Sequence, residues 1–130
     1  MPVKSLNSSV FKWPGQAEVI EAVRRWVIEA AAQHPELMRL GYFGSCARDD
    51  WGVGSDLDLV AVVAHSDAPF EERARRWDLL SLPVPADLLV YTQAEWERME
   101  AAGSRFARML KEETVWVYPA AESVQPPQAG

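Results

Sequence analysis

The segment Asp56-Leu57-Asp58-Leu59-Val60-Ala61-Val62-Val63-Ala64 limits the possible folds more than any other stretch of this chain. It opens with two carboxylates on alternate residues and becomes an almost unbroken, largely β-branched apolar run. Such a run suits a central strand covered on both faces. Alternate side chains of a strand share a face, so Asp56 and Asp58 are expected side by side where the strand begins, open to a cleft. Two anions held that close repel each other unless a cation or a proton lies between them. Gly44-Ser45 precedes the pair with ten residues between. A Gly-Ser ahead of a short helix offers backbone N–H groups and a hydroxyl, which suit a phosphate. Two glycines in the intervening loop, Gly52 and Gly54, allow close backbone approach or positive φ. Taken singly, the acid pair reads as a solvated turn and the Gly-Ser as a helix cap. Together they are the minimum equipment for phosphoryl or nucleotidyl transfer.

Other elements follow from periodicity and punctuation. Val19, Ile20, Val23, Trp26, Val27 and Ala30 recur at helical spacing, which predicts an amphipathic helix from Gln16 to about Gln33, stopped by Pro35. Leu37 to Phe43 reads as a strand that delivers Gly44-Ser45. Ser66-Asp67-Ala68-Pro69 supplies cap-type residues for a helix running to about Leu80, with Phe70, Ala74 and Trp77 on one side. Pro83 and Pro85 bracket the approach to a short strand carrying Asp87, with Leu89 and Tyr91 on the same face. Thr92 and Glu95 form a capping box for one further helix, whose stripe is Trp96, Met99, Gly103, Phe106 and Leu110. Thr114 to Tyr118 reads as a last strand. The order predicts an α+β (mixed α/β) two-layer domain over residues 13–118, between flexible segments at 1–12 and 119–130.

Size and charge narrow the function. A chain of 130 residues makes one domain with no room for a second, substrate-binding one. Its formal charge of −6 gives no long-range attraction to nucleic acid, which argues against a polymerase or a tRNA-end-adding enzyme acting alone. One cysteine, Cys46, cannot form an internal disulfide and fits a reducing compartment. Its place beside Ser45 suggests a nucleophile, but no histidine lies near it in sequence. No apolar signal core and no membrane-length run are present, so a cytoplasmic address is the default. Arg73, Arg75 and Arg76, with Arg24 and Arg25, read as a solvated helix face or as a contact surface for an acidic partner or an RNA end. Trp51 reads as packing, or as a wall of a nucleotide pocket. His34 and His65 lack metal-ligand spacing.

Gly44-Ser45-Cys46-Ala47-Arg48 followed by Gly54-Ser55-Asp56-Leu57-Asp58-Leu59-Val60 resembles the minimal nucleotidyltransferase signature of the DNA polymerase β superfamily. That signature is a Gly-Ser, ten residues, a DxD and a third acid on a later strand, for which Asp87 is the candidate. Phe106 to Glu113 with Val115 to Tyr118 also resembles the way these small domains end. The similarity spans roughly residues 16 to 118. It implies a nucleotidyltransferase fold in which Asp56, Asp58 and Asp87 are catalytic and hold two Mg²⁺ ions. Gly44, Ser45, Arg48 and Ser55 would bind the nucleoside triphosphate, with ATP expected. Family members often carry glycine after the arginine, where this chain has Asp49-Asp50, so Arg48 can equally pair with one of those. Stand-alone domains of this kind are often paired with a HEPN-type ribonuclease toxin, which the small enzyme neutralises by adenylylation. The resemblance therefore implies a protein partner. The other readings are an inactive module that neutralises a partner by contact, and an enzyme modifying a small aminoglycoside-type compound.

Overall fold

A computed structural model of the chain describes residues 13–120. The expected flexible segment at 1–12, and the tail beyond Ala120, lie outside the described residues. Four strands form one mixed sheet in the order β3-β2-β1-β4. Strand β1 (Leu37–Phe43) is antiparallel to β2 (Leu57–Val63) and to β4 (Val115–Tyr118), while β2 runs parallel to β3 (Ala86–Thr92). The apolar run is thus a central strand, and every residue of β2 is buried except the half-buried Asp58.

Both faces of the sheet are covered. Leu57, Leu59, Ala61 and Val63 pack with Val19, Val23, Trp26 and Val27 of helix α1 (Gln16–Gln33). Val60 and Val62 point the other way, onto Trp96 of α3 (Gln93–Ala102) and Leu110 of α4 (Arg105–Glu113). The fold is α+β as expected, but with three layers rather than two. The β2-to-β3 crossover joins α1 on one face, since a parallel connection must pass over the sheet. Leu40, Leu57, Leu59 and Leu110 are the largest fully buried side chains, each worth about 1.5–3 kcal/mol of apolar burial.

Four local expectations need correction. The helix expected to reach Leu80 is one turn, α2 (Phe70–Arg73), and a 3₁₀ turn at Ala74–Arg76, after which Trp77 turns extended (φ −110°, ψ 144°). Trp77 stacks on His34 at 3.8 Å, and Trp26 Nε1 donates to the Asp78 carbonyl at 2.7 Å. These contacts commit the backbone to an open course. Arg73 leaves the solvated face expected of it and is only 7% exposed, while Arg75 and Arg76 remain exposed. The single helix expected after Thr92 is two, divided where Gly103 takes a left-handed conformation (φ 65°) and Ser104 caps α4 by accepting from Ala107 N–H. The Asp87 strand is not short. The prolines end before it, and its seven residues pair with β2 as far as Thr92.

Candidate functional site

The parallel register of β2 and β3 sets Asp58 directly beside Asp87. Paired residues on neighbouring strands share a face, and here it is the face of Val60, Val62, Leu89 and α3–α4. At this end of the sheet the apolar stripe stops and the two carboxylates continue it. They line a cleft of about 480 Å³ with Phe43, Leu79, Leu89 and Phe106. Asp56 lies just ahead of β2 and is exposed, as is Asp87. Burial, then the charges of Asp87 and Asp56, raise the Asp58 carboxyl above its ordinary range; Arg48 counters this and Glu113 adds to it. Asp58 therefore sits where negative charge is crowded and a cation is wanted.

Gly44 closes the other side of Asp58. It follows β1 at φ 72°, and a Cβ placed there would collide with the Asp58 carboxylate. Only glycine takes this backbone form without strain and leaves the acid its space. Gly44 to Cys46 forms a single 3₁₀ turn rather than the start of a longer helix. Among the described residues no hydrogen bond engages the Ser45 hydroxyl. Ser55 Oγ accepts from Gly52 N–H at 2.9 Å, which folds the loop that delivers Asp56.

Arg48 is exposed and divided between two acids. Its Nε donates to Asp50 Oδ2 at 3.1 Å, and its NH1 reaches both oxygens of Glu113 at 3.2 Å. Glu113, the last residue of α4, also accepts from Gly44 N–H at 2.9 Å. Sequence reasoning singled out Arg48 and Asp50 but not Glu113. The available signal was an acid pair, Glu112-Glu113, closing a helix whose C-terminal dipole disfavours negative charge.

Other motif-adjacent residues have structural partners. Cys46 is buried, and burial followed by the Asp58 charge pushes its thiol up to about 11, opposite to what a nucleophile needs. Trp51 packs against the core and donates from Nε1 to the Pro14 carbonyl at 3.0 Å.

A mixed sheet with paired acids at the starts of two parallel strands and a glycine turn beside them suits binding of a cation and a phosphate. A family model for the nucleotidyltransferase domain matches residues 24–117, and the chain belongs to that family. Among solved structures, the chain is similar to one described as a candidate nucleotidyltransferase from Sulfolobus solfataricus. The identity is 22%, covering 78% of this chain and 80% of that one, with a TM-score of 0.56. It is also similar to a toxin–antitoxin structure with AMP-PNP, at 14% identity over 77% of this chain and 76% of that one, with a TM-score of 0.48. The first likeness shows the fold alone. None of the curated proteins compared matches at a significant level. No described helix is long and apolar enough to cross a membrane.

Nucleotidyltransferase domains generally use divalent metal ions. Among the described residues no three Asp, Glu, His or Cys side chains already converge as ligands. The donor chemistry nonetheless fits a hard cation: three carboxylates, with Asp58 pushed toward protonation by burial and then by the charges of the other two.

Proposed function

We propose that the chain transfers a nucleoside monophosphate, AMP from ATP, to a hydroxyl on a protein partner of the HEPN toxin type, and so acts as its antitoxin. The observation that carries the transferase part is the register pairing of Asp58 with Asp87, with Asp58 closed against Gly44. Resemblance of the motif residues supports the HEPN-type partner, the acceptor and the choice of ATP. We assign the nucleotidyltransferase domain to residues 13–118. A cytoplasmic setting belongs to the same proposal, supported by the lone buried thiol.

Asp56, Asp58 and Asp87 would hold two Mg²⁺ ions. Bound there, the ions supply charge neutralisation at the phosphates and a lower pKa for the attacking hydroxyl. The chain's own residues do the positioning. Gly44 N–H, the Ser45 hydroxyl and the Arg48 guanidinium orient the polyphosphate, and Ser55 shapes the loop that presents Asp56. Asp87, at the outer end of the acid row, accepts a hydrogen bond from the acceptor hydroxyl. Phe106 and Leu79 give the cleft apolar walls. Catalysis of this kind is positioning and electrostatics.

Incubation of the chain with ATP, Mg²⁺ and the product of its adjacent gene, followed by mass measurement of that product, tests the proposal. A gain of one nucleotide is expected; no gain, with both proteins folded, contradicts it. The contact-only module remains the second reading, because Arg48 is already neutralised by two acids. It requires that Asp56→Asn with Asp58→Asn leave neutralisation intact, whereas the transferase reading requires neutralisation to fail while the complex still forms.

A further inference from the structure

Glu113 occupies the hydrogen-bonding positions that the proposed reading gives to a substrate phosphate. One carboxylate takes the Gly44 N–H at 2.9 Å and the Arg48 NH1 at 3.2 Å with both its oxygens. A carboxylate that accepts from a turn amide and a guanidinium together has the same donor set as a phosphate oxygen pair. The contact joins residues 69 positions apart, and the Glu113 side chain is 21% exposed. Its place at the end of α4 is unfavourable to the helix, so the partners across the turn, not the helix, explain it. Beside it lies an open cleft of about 460 Å³ lined by Arg105, Arg108, Met109, Glu112 and Glu113. Glu113 itself borders this cleft, which leaves open space for its side chain on the side away from Gly44 and Arg48.

Resting on the nucleotide-binding reading, we propose that Glu113 is an internal phosphate mimic that sets nucleotide affinity: triphosphate binds only by displacing it from Gly44 and Arg48. The chain then holds its cradle closed when empty, at a cost in affinity. A purely structural role for Glu113, holding Arg48 in place for the ligand, makes the opposite demand.

Calorimetric titration separates the two, with Mg²⁺-ATP and inorganic tripolyphosphate as probes of wild type, Glu113→Gln and Glu113→Ala. Displacement requires both probes to bind Glu113→Ala about ten-fold more tightly, the size of one lost charge-assisted hydrogen-bond competitor. Glu113→Gln, which keeps the shape without the charge, falls between it and wild type. Unchanged or weaker binding by both variants, with wild type binding ATP, overturns the inference and leaves the nucleotide site standing. Absence of ATP binding by all three folded proteins removes the site itself, and the inference with it. Melting curves of each variant confirm that folded proteins are compared.

Discussion

Two arginines of this small domain each hold carboxylates, and they differ in nearly every respect that matters. Arg73 has a side chain 9% exposed, grips Glu95 through two bonds of 2.7 and 3.1 Å, and also donates to the carbonyls of Ala68 and Val90. Glu95 is at the same time the capping-box acid of α3, accepting from Thr92 N–H. All these groups satisfy one another inside the fold. Arg48 is 49% exposed, is shared between Asp50 and Glu113, and stands near Asp58, where negative charge is crowded. The same pairing chemistry therefore serves as a fixed strut at one end of the sheet and as a releasable clasp at the other. Burial and complete hydrogen bonding make the strut; exposure and excess negative charge make the clasp.

The contrast can be broken most sharply at Asp58. Asp58→Asn is expected to lower nucleotidyl transfer at least about 10³-fold, the scale of losing a central electrostatic group. It is expected to leave melting unchanged or slightly raised, because it relieves repulsion from Asp87 and Asp56. A loss of activity that tracked unfolding instead would move Asp58 into the structural category.

Next in size is the strut. Glu95→Gln takes the countercharge from a buried guanidinium, while its amide oxygen can still complete the capping box. A loss of about 2–4 kcal/mol by denaturant titration is expected, partly softened by the two carbonyls that Arg73 retains. A loss below about 0.5 kcal/mol would make Arg73–Glu95 no different from a surface pair.

Acid sharpens the same point. The Arg73 hydrogen bond holds the Glu95 carboxyl down at about 2, from an ordinary value of 4.5. A depressed carboxyl contributes stability that is complete above its unfolded pKa and lost as pH falls through its folded one. Wild type should therefore lose about 2 kcal/mol more than Glu95→Gln as pH drops from 5 toward 2, a figure reduced for the 29% exposure of Glu95. Parallel acid profiles for the two proteins would contradict this.

The smallest effect belongs to the clasp. Asp50→Asn should shift melting by less than about 2 °C, since exposed pairs contribute little. It should strengthen ATP binding by a few-fold at low salt and less at high salt, because one negative charge leaves the approach to Arg48.

Much of this organisation was legible in the residues. The β-branched run and the alternating acids predicted a central strand with carboxylates at its start. Thr92 and Glu95 predicted their cap, and the helix over Gln16–Gln33 followed from its stripe. What stayed hidden depended on contacts distant in sequence. Arg73 belongs to a local run that looks amphipathic, and Glu95, 22 residues on, draws it inward together with the Ala68 and Val90 carbonyls. The division of α3 from α4 was written in Gly103-Ser104, a stop followed by a cap, but the apolar stripe ran across it and masked the break. Glu113 reaches Gly44 through the fold alone. That Asp87 on a later strand would join Asp56 and Asp58 was expected from the motif, while its pairing with Asp58 required the crossover to be built.

The central claim is that Asp58 and Asp87 together form the cation-dependent seat of a nucleotide. Titration of ATP into wild type and into Asp58→Asn with Asp87→Asn, each with Mg²⁺ and with EDTA, tests it most directly. Binding by wild type that requires Mg²⁺, and that disappears in the double variant, is the expected result. Equal binding with EDTA, or binding that survives removal of both acids, would contradict the account.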